Sequence, residues 1–418
     1  MTETKNKKPF YNTKIPSDWE IVKVSDYGRV YTGNTPLTND LKNYNGDYLF
    51  VSPGDLGEYK YIVKTEKTLS LKGFSTSRKF PKGSVLFTCI GSTIGKSGIA
   101  KTDLTANQQI NAIVVNDCNS NEFLYYQLER NANKIKLIAG EQAVPIINKS
   151  QFESIKIIRA PLHEQKAIAR VLSTWDEAIY KTKQLIIQKE LRKKWLMQNL
   201  LTGKMRLKGF DGEWKKCSAF DFLKQRNEQA TNNGNIPLFS LTIENGITEK
   251  SDRYEREFLV KDKSIKNYKI VYPNDIVFNP ANLRWGAIAK HSRNFKVLLS
   301  PIYEVLTVKQ GYNIDFISYL VSSPRQISYY ASILEGTLIE RMAVKVEPFL
   351  STKYEIPPFK EQTAIAEILQ ASDKEIILLN AKVEKLKEQK KGLMQQLLTG
   401  KKRLILNEKL ENYAERNN

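Results

Sequence analysis

Two stretches of the chain carry apolar residues at helical spacing, and they are near copies of one another. Residues 161–207 read PLHEQKAIARVLSTWDEAIYKTKQLIIQKELRKKWLMQNLLTGKMRL, and residues 358–404 read PFKEQTAIAEILQASDKEIILLNAKVEKLKEQKKGLMQQLLTGKKRL. They align without a gap, with about 21 of 47 positions identical. In the second copy Ile376, Leu379, Val383, Leu386, Lys390, Leu393 and Leu397 keep a 3,4 spacing, and in the first Ile168, Leu172, Trp175, Ile179 and Ile186 form a similar stripe. This spacing predicts one long helix in each stretch, with its apolar residues on a single seam. Pro161 and Pro358 suit a first helical turn, where the missing N–H costs nothing. Gly203 and Gly400 suit the left-handed residue just past a helix end. At 1.5 Å per residue each helix is roughly 60 Å long. A lone amphipathic helix of that length is marginal in water, so each needs a partner, and the other copy is the nearest candidate. An ordinary helical bundle is the alternative, but it leaves unexplained why the same helix appears twice, each time after a segment of similar size.

The preceding segments, 1–160 and 208–357, alternate differently. Short β-rich runs bounded by Gly, Pro, Asn and Asp dominate both, which predicts a twisted sheet with added helices in each. The segments are faintly alike: IPSDWEIVKVSDY and GFDGEWKKCSAFDF open them, VLFTCIGSTIGKSGIA and IVFNPANLRWGAIA mark their middles, and FLYYQL and FISYLV stand near their ends. The expected fold class is therefore α/β (α+β), with two mixed domains and two long antiparallel helices forming a coiled coil in a pseudo-twofold repeat. The expected boundaries are a first domain at 1–160, a first helix at 161–207, a second domain at 208–357, a second helix at 358–404 and a tail at 405–418.

Composition narrows the class of partner. The chain has 418 residues, enough for two domains. It carries 65 Lys plus Arg against 45 Asp plus Glu, a formal charge of +20, with 41% hydrophobic residues. A folded chain so basic points to a polyanion such as nucleic acid, although charge kept for solubility gives the same count. Cys89, Cys118 and Cys217 are odd in number and far apart, against a disulfide framework and for a reducing compartment such as the cytoplasm. No window approaches the ~20 apolar residues of a membrane span, so no membrane partner is expected.

On these residues the chain resembles the specificity subunits of Type I restriction-modification enzymes. The resemblance covers almost the whole length: variable domain, a helix with Glu164-Gln165 near its start and Leu196 to Lys204 at its end, a second variable domain, and a second helix with Glu361-Gln362 and Leu393 to Lys401. It implies that each globular segment is a target recognition domain reading one half of a bipartite site on double-stranded DNA. It also implies that the helices set the gap between the halves and dock two modification (methyltransferase) subunits, with two restriction (nuclease and translocase) subunits where these exist. The chain itself would then be non-catalytic and hold no cofactor, and S-adenosylmethionine, ATP and Mg would belong to the partner subunits.

Other chemistry is thinly supported. GSTIGKS, Gly91 to Ser97, resembles a phosphate-binding loop, but the pattern needs a glycine where Ile90 stands. Either the loop brings Ser92, Thr93 and Lys96 towards DNA or it is a plain turn. Asn279-Pro280-Ala281-Asn282 resembles the signature of base-amino methyltransferases, yet the last position, aromatic there, is asparagine. The loop Asn279 to Ala287 offers Asn279 and Asn282 for adenine, Arg284 for guanine and Trp285 for packing, unless it is a hairpin with a solvated arginine. Arg78, Lys79, Gln108, Gln109 and Arg293 are further nominations near these central loops. Only His163 and His291 are available for histidine chemistry, too few for a metal cluster or a Ser-His-Asp triad. Lys385 to Lys391 and Arg192 to Lys194 read as a solvated face or as phosphate contacts. A self-contained methyltransferase, a P-loop ATPase and a purely structural coiled-coil protein remain the competing readings.

Overall fold

A computed structural model describes residues 15–140, 143–249, 267–334 and 342–404. The two stretches with helical periodicity are helices of 39 residues each, Leu162–Leu200 and Phe359–Leu397. Each begins one residue past its proline. Gly203 and Gly400 follow them at φ 68° and 69°, the left-handed conformation that ends a helix without a Cβ clash.

The chain divides into two compact units, residues 1–184 with 380–418, and residues 185–379. Both units are composite: a globular domain, the start of the helix that follows it, and the end of the other helix. Within the first unit Glu164 meets Arg403 and Asp176 meets Lys390, so the two helix segments run antiparallel. Within the second, Arg206 meets Glu361 and Lys193 meets Asp373, with the same sense.

The two domains share one plan. In the first, Glu20–Lys23 pairs with Lys156–Arg159, and a central sheet runs in the order Gly28–Thr32, Ile110–Val115, Val85–Thr88, Ser97–Ala100, Tyr61–Ile62. In the second, Lys215–Ser218 pairs with Lys353–Ile356, and the central sheet runs Leu223–Arg226, Glu304–Val308, Ile276–Phe278, Ile288–Lys290. Smaller sheets stack on these, Lys67–Leu69, Tyr44–Val51, Leu104–Ala106 and Lys79–Phe80 in the first unit, and Gln229–Thr231, Asn267–Val271 and Val297–Leu299 in the second. Strand alternation sorts the cores. Val85 and Phe87 face the helices while Leu86 faces the smaller sheet; in the second unit Ile276 and Phe278 face the helices and Val277 does not. The helix-facing core joins Ile168, Leu172, Met394 and Leu397 to the first sheet, and Leu196, Leu200, Ile365 and Leu369 to the second.

One helical element differs. Asn121–Ile138 is continuous, capped by the Ser120 hydroxyl, which accepts from the Phe123 amide. Its counterpart is split into Ile314–Val321 and Pro324–Ser332. Pro324 has no N–H to donate, and Ser323 starts a fresh helix by accepting from the Gln326 amide.

Candidate nucleic-acid interface

The repeated helix motifs are two halves of one lock, and each lock is closed by the other copy. Glu164 is 3% exposed and accepts from the Arg403 guanidinium, Nε at 2.8 Å, and from the Trp19 indole at 3.4 Å. Glu361 is 1% exposed and accepts from Arg206 Nε at 2.7 Å, Arg206 Nη2 at 2.8 Å and the Trp214 indole at 3.3 Å. A buried carboxylate is tolerable only with such charged donors. The neighbouring glutamines tie each helix to its domain. Gln165 accepts from the Ser120 amide (2.8 Å) and donates to the Ala160 carbonyl (2.8 Å); Gln362 accepts from the Asn313 amide (2.8 Å) and donates to the Pro357 carbonyl (2.9 Å). Ser120 and Asn313 are the caps of the equivalent domain helices.

A second repeated contact lies further along. Tyr126 donates to Asp176 at 2.5 Å, and Asp176 pairs with Lys390 at 2.8 Å. Tyr319 donates to Asp373 at 2.6 Å, and Asp373 pairs with Lys193. Lys390 and Lys193 therefore depart from the solvated or phosphate-binding role expected for the lysine runs. Lys390 is buried, and although burial disfavours its charge, Glu129 and Asp176 outweigh this and hold its pKa above the ordinary value. Lys385, Lys387 and Lys391 are exposed, as a wet face requires.

These contacts hold each sheet with one end carrying loops. In the first domain, Thr32 at a strand end pairs with Asn111, and Ile110 pairs with Thr88 at another strand end, so the turn at 107–109 and the loop at 89–96 emerge together. Arg78 joins them: its amide donates to Asn34 Oδ1 at 2.6 Å, and its guanidinium bonds the Thr32 carbonyl and lies 5.9 Å from the Tyr31 ring. Lys79 is exposed, 5.1 Å from the Phe74 ring. Gln108 is exposed and accepts from the Thr35 hydroxyl, while Gln109 is half-buried and bonded to Asn107. Ser92 is exposed, and Thr93 and Lys96 are half-buried. Beneath them Asn111 accepts from Thr32 at 2.7 Å and donates to Cys89 Sγ at 3.2 Å. Burial pushes the Cys89 thiol up to about 12, so it stays neutral and acts as packing.

In the second domain the loop 279–287 occupies the matching place. Phe278 ends its strand opposite Ile288 and Glu304, just as Phe87 pairs with Ser97 and Asn111. The two loops close identically. The Thr88 amide donates to the Lys96 carbonyl (2.9 Å) and the Asn279 amide to the Ala287 carbonyl (2.9 Å). Gly95 (φ 104°) and Gly286 (φ 93°) make the same left-handed turn, and Ile147 and Val344 donate to the carbonyls of Cys89 and Pro280. Asn279 is absorbed in the loop, its Oδ1 accepting from the Ala281 amide at 3.0 Å. Asn282 is half-buried, and its carbonyl accepts from the Trp285 and Ala287 amides. Trp285 is 57% exposed and Arg284 lies on its ring at 4.1 Å. Arg293 is exposed but stands apart, because it follows Lys290, which pairs with Ile276 at the opposite end of the strand.

The same geometry bears on the competing chemistry. The amides of Gly91, Ile94, Gly95 and Lys96 all donate to carbonyls of the chain, and the loop runs into the strand Ser97–Ala100, so no phosphate cradle leading into a helix is formed. Among the described residues no group of three or more His, Cys, Asp or Glu could hold a metal ion, and no helix is long and apolar enough to cross a membrane. His163 is exposed, and His291 is buried with Nε2 2.7 Å from the Phe295 carbonyl.

Comparison with known proteins agrees with this architecture. Residues 16–190 match the family described as Type I restriction modification DNA specificity domain. The chain is 30% identical over 281 residues to the Type I restriction enzyme MjaIX specificity subunit of Methanocaldococcus jannaschii, spanning 61% of this chain and 65% of that one, just under two thirds of its length. It is 24% identical to the MjaVIII specificity subunit of the same organism over 96% of both chains, and 32% identical to the HindI specificity subunit of Haemophilus influenzae over 34% of this chain and 32% of that one. In fold it is similar to the crystal structure of a Type I S subunit from M. genitalium, with a TM-score of 0.55, 14% identity and coverage of 95% and 98%. A chain from a study of complex assembly and conformational transition in the type I R-M system gives a TM-score of 0.59, 13% identity and coverage of 93% and 99%. With its duplicated domains and its paired 39-residue helices, the chain is similar along its length to the specificity subunits of Type I restriction-modification systems, and residues 16–190 carry the match to their DNA specificity domain.

Proposed function

We propose that the chain is a non-catalytic adaptor that reads a bipartite site on double-stranded DNA, one half with each domain. The observation that carries this is the equivalence of the loops at 89–96 and 279–287: one chain presents the same kind of loop twice, each at the end of a braced sheet. Base reading in the major groove needs a few rigidly held side chains with amide, guanidinium or apolar surface. Arg78, Lys79, Ser92, Thr93, Lys96, Gln108 and Gln109 supply such groups in the first domain, and Asn282, Arg284 and Trp285 in the second. Asn279 acts there by shaping the loop, and Arg293 is left for the phosphate backbone. The formal charge of +20 supports the sequence-independent part of binding.

In this reading the 39-residue helices set the gap between half-sites, and their exposed apolar side chains, such as Leu191 and Trp195, dock two modification subunits. Restriction subunits join where they exist. S-adenosylmethionine, ATP and Mg act in those partners, in the cytoplasm, where the DNA and a reducing environment are found. The test is methylation by reconstituted subunits. Exchanging residues 208–357 for the matching segment of a relative should change one half of the methylated sequence and leave the other. Sequence-selective methylation by the chain alone would overturn the adaptor role.

A further inference from the structure

The loops at 89–96 and 279–287 are not the only elements that recur at the reading end of both sheets. In the first domain the turn 107–110 closes with the Ile110 amide donating to the Asn107 carbonyl at 3.2 Å, and Asn111 then pairs with Phe87. In the second domain the turn 300–303 closes with the Tyr303 amide donating to the Ser300 carbonyl at 3.1 Å, and Glu304 then pairs with Phe278. Counting back from these pairs, Pro301 and Ile302 stand where Gln108 and Gln109 stand. The sequence points to the glutamine turn but not to its counterpart, because the two share no residue type that signals base contact.

The chemistry of the two turns is opposite. Gln108 and Gln109 carry amides that can donate and accept, which suits the hydrogen-bonding edge of a base. Pro301 and Ile302 have no side-chain hydrogen-bonding atom, and Ile302 is 60% exposed. A single exposed aliphatic residue is ordinary on a protein surface. Ile302 is set apart by its place: it occupies the position of a nominated base reader, at the same end of the sheet as the exposed Trp285 and the Arg284 stacked on it. In the major groove one base feature is apolar, the C5-methyl group of thymine.

We propose that Ile302 is a specificity-determining residue that selects thymine in the half-site of the second domain by covering its C5-methyl group; this rests on the base-reading role of the two domains. The experiment is competition binding by the full-length chain to a duplex carrying its methylated site, with each thymine replaced in turn by deoxyuridine, which lacks only that methyl. The wild type should lose about fourfold in affinity at one thymine of the second domain's half-site, the worth of one buried methyl-sized group. The Ile302→Ala variant should bind the thymine and uracil forms of that duplex equally, while keeping its selection at the first domain's half-site as proof of folding. Indifference of the wild type to every uracil, or a second half-site without an A·T pair, overturns the proposal and leaves base reading by the domains intact. An equal loss by Ile302→Ala on all duplexes also overturns it. Failure of the wild type to choose among sequences at all removes the base-reading role and this inference together.

Discussion

The two compact units are built to one plan inside and diverge at their surfaces. In both, a domain tryptophan, a buried helix glutamate and an arginine just past the end of the other helix form a lock, and in both a glutamine stitches the helix to the cap of a domain helix. The differences are local. Arg403 holds two carboxylates, Glu164 and Asp18, whereas Arg206 holds Glu361 and the Gly212 carbonyl. Gln127 donates to the Leu398 carbonyl at 2.9 Å, sealing the end of a long helix in the first unit. FISYLV puts Leu320 at the matching place in the second, and there a cleft of about 630 Å³ opens among Leu201, Leu320 and Pro324. At the loops the exposure is inverted: Ser92 is out and Ile94 buried, while Leu283 is buried and Trp285 out. Equal frames with unequal rims are what the proposed reading of two different half-sites requires.

The sharpest way to break this comparison is through the shared core. Leu172 and Leu369 are both fully buried against the domain sheets. Leu172→Ala and Leu369→Ala should each destabilise by about 3 kcal/mol. Calorimetric unfolding that showed a loss for one and none for the other would mean that the two units are not energetically equivalent. A smaller effect separates the rims. Arg284→Ala should cost about 2 kcal/mol at one base pair of one half-site if its guanidinium forks onto guanine, whereas Thr93→Ala should change the other half-site by less. Methylation profiles over randomised sites would measure both, and a uniform loss for Arg284→Ala would remove it from the readers. The smallest effect tests the stitches. Gln165→Leu and Gln362→Leu each strand a buried amide donor and a carbonyl, at about 1.5 kcal/mol apiece. Denaturant midpoints should fall equally for the two variants.

Much of the architecture is legible before any coordinates. The seam residues named from spacing are all buried or half-buried, and both glycines take the left-handed turn placed on them. The candidate loops were reached through two unrelated near-matches, a phosphate loop and a methyltransferase signature, and they turn out to be the same loop in two domains. The two segments are already faintly alike in sequence at VLFTCIGSTIGKSGIA and IVFNPANLRWGAIA, while Thr93 and Arg284, at matching places, share no chemistry. The lysine runs read as a solvated face or as phosphate contacts, but Lys193 and Lys390 each meet an acid on the partner helix segment. Arg293 was grouped with the central loops because it is close in sequence, and one three-residue strand carries it to the other end of the sheet.

The sequence by itself determined what is periodic or local: two long amphipathic helices, their starts and stops, β-rich segments before each, and a formal charge of +20. Only the tertiary structure decided which halves meet. Glu164 and Arg403 lie 239 residues apart, and nothing in either motif says that its partner is the other copy's and not its own. The reason is that periodicity records how a segment folds against any apolar surface. The choice of surface, and of which loop side chains are left facing outward, depends on where the rest of the chain has come to rest.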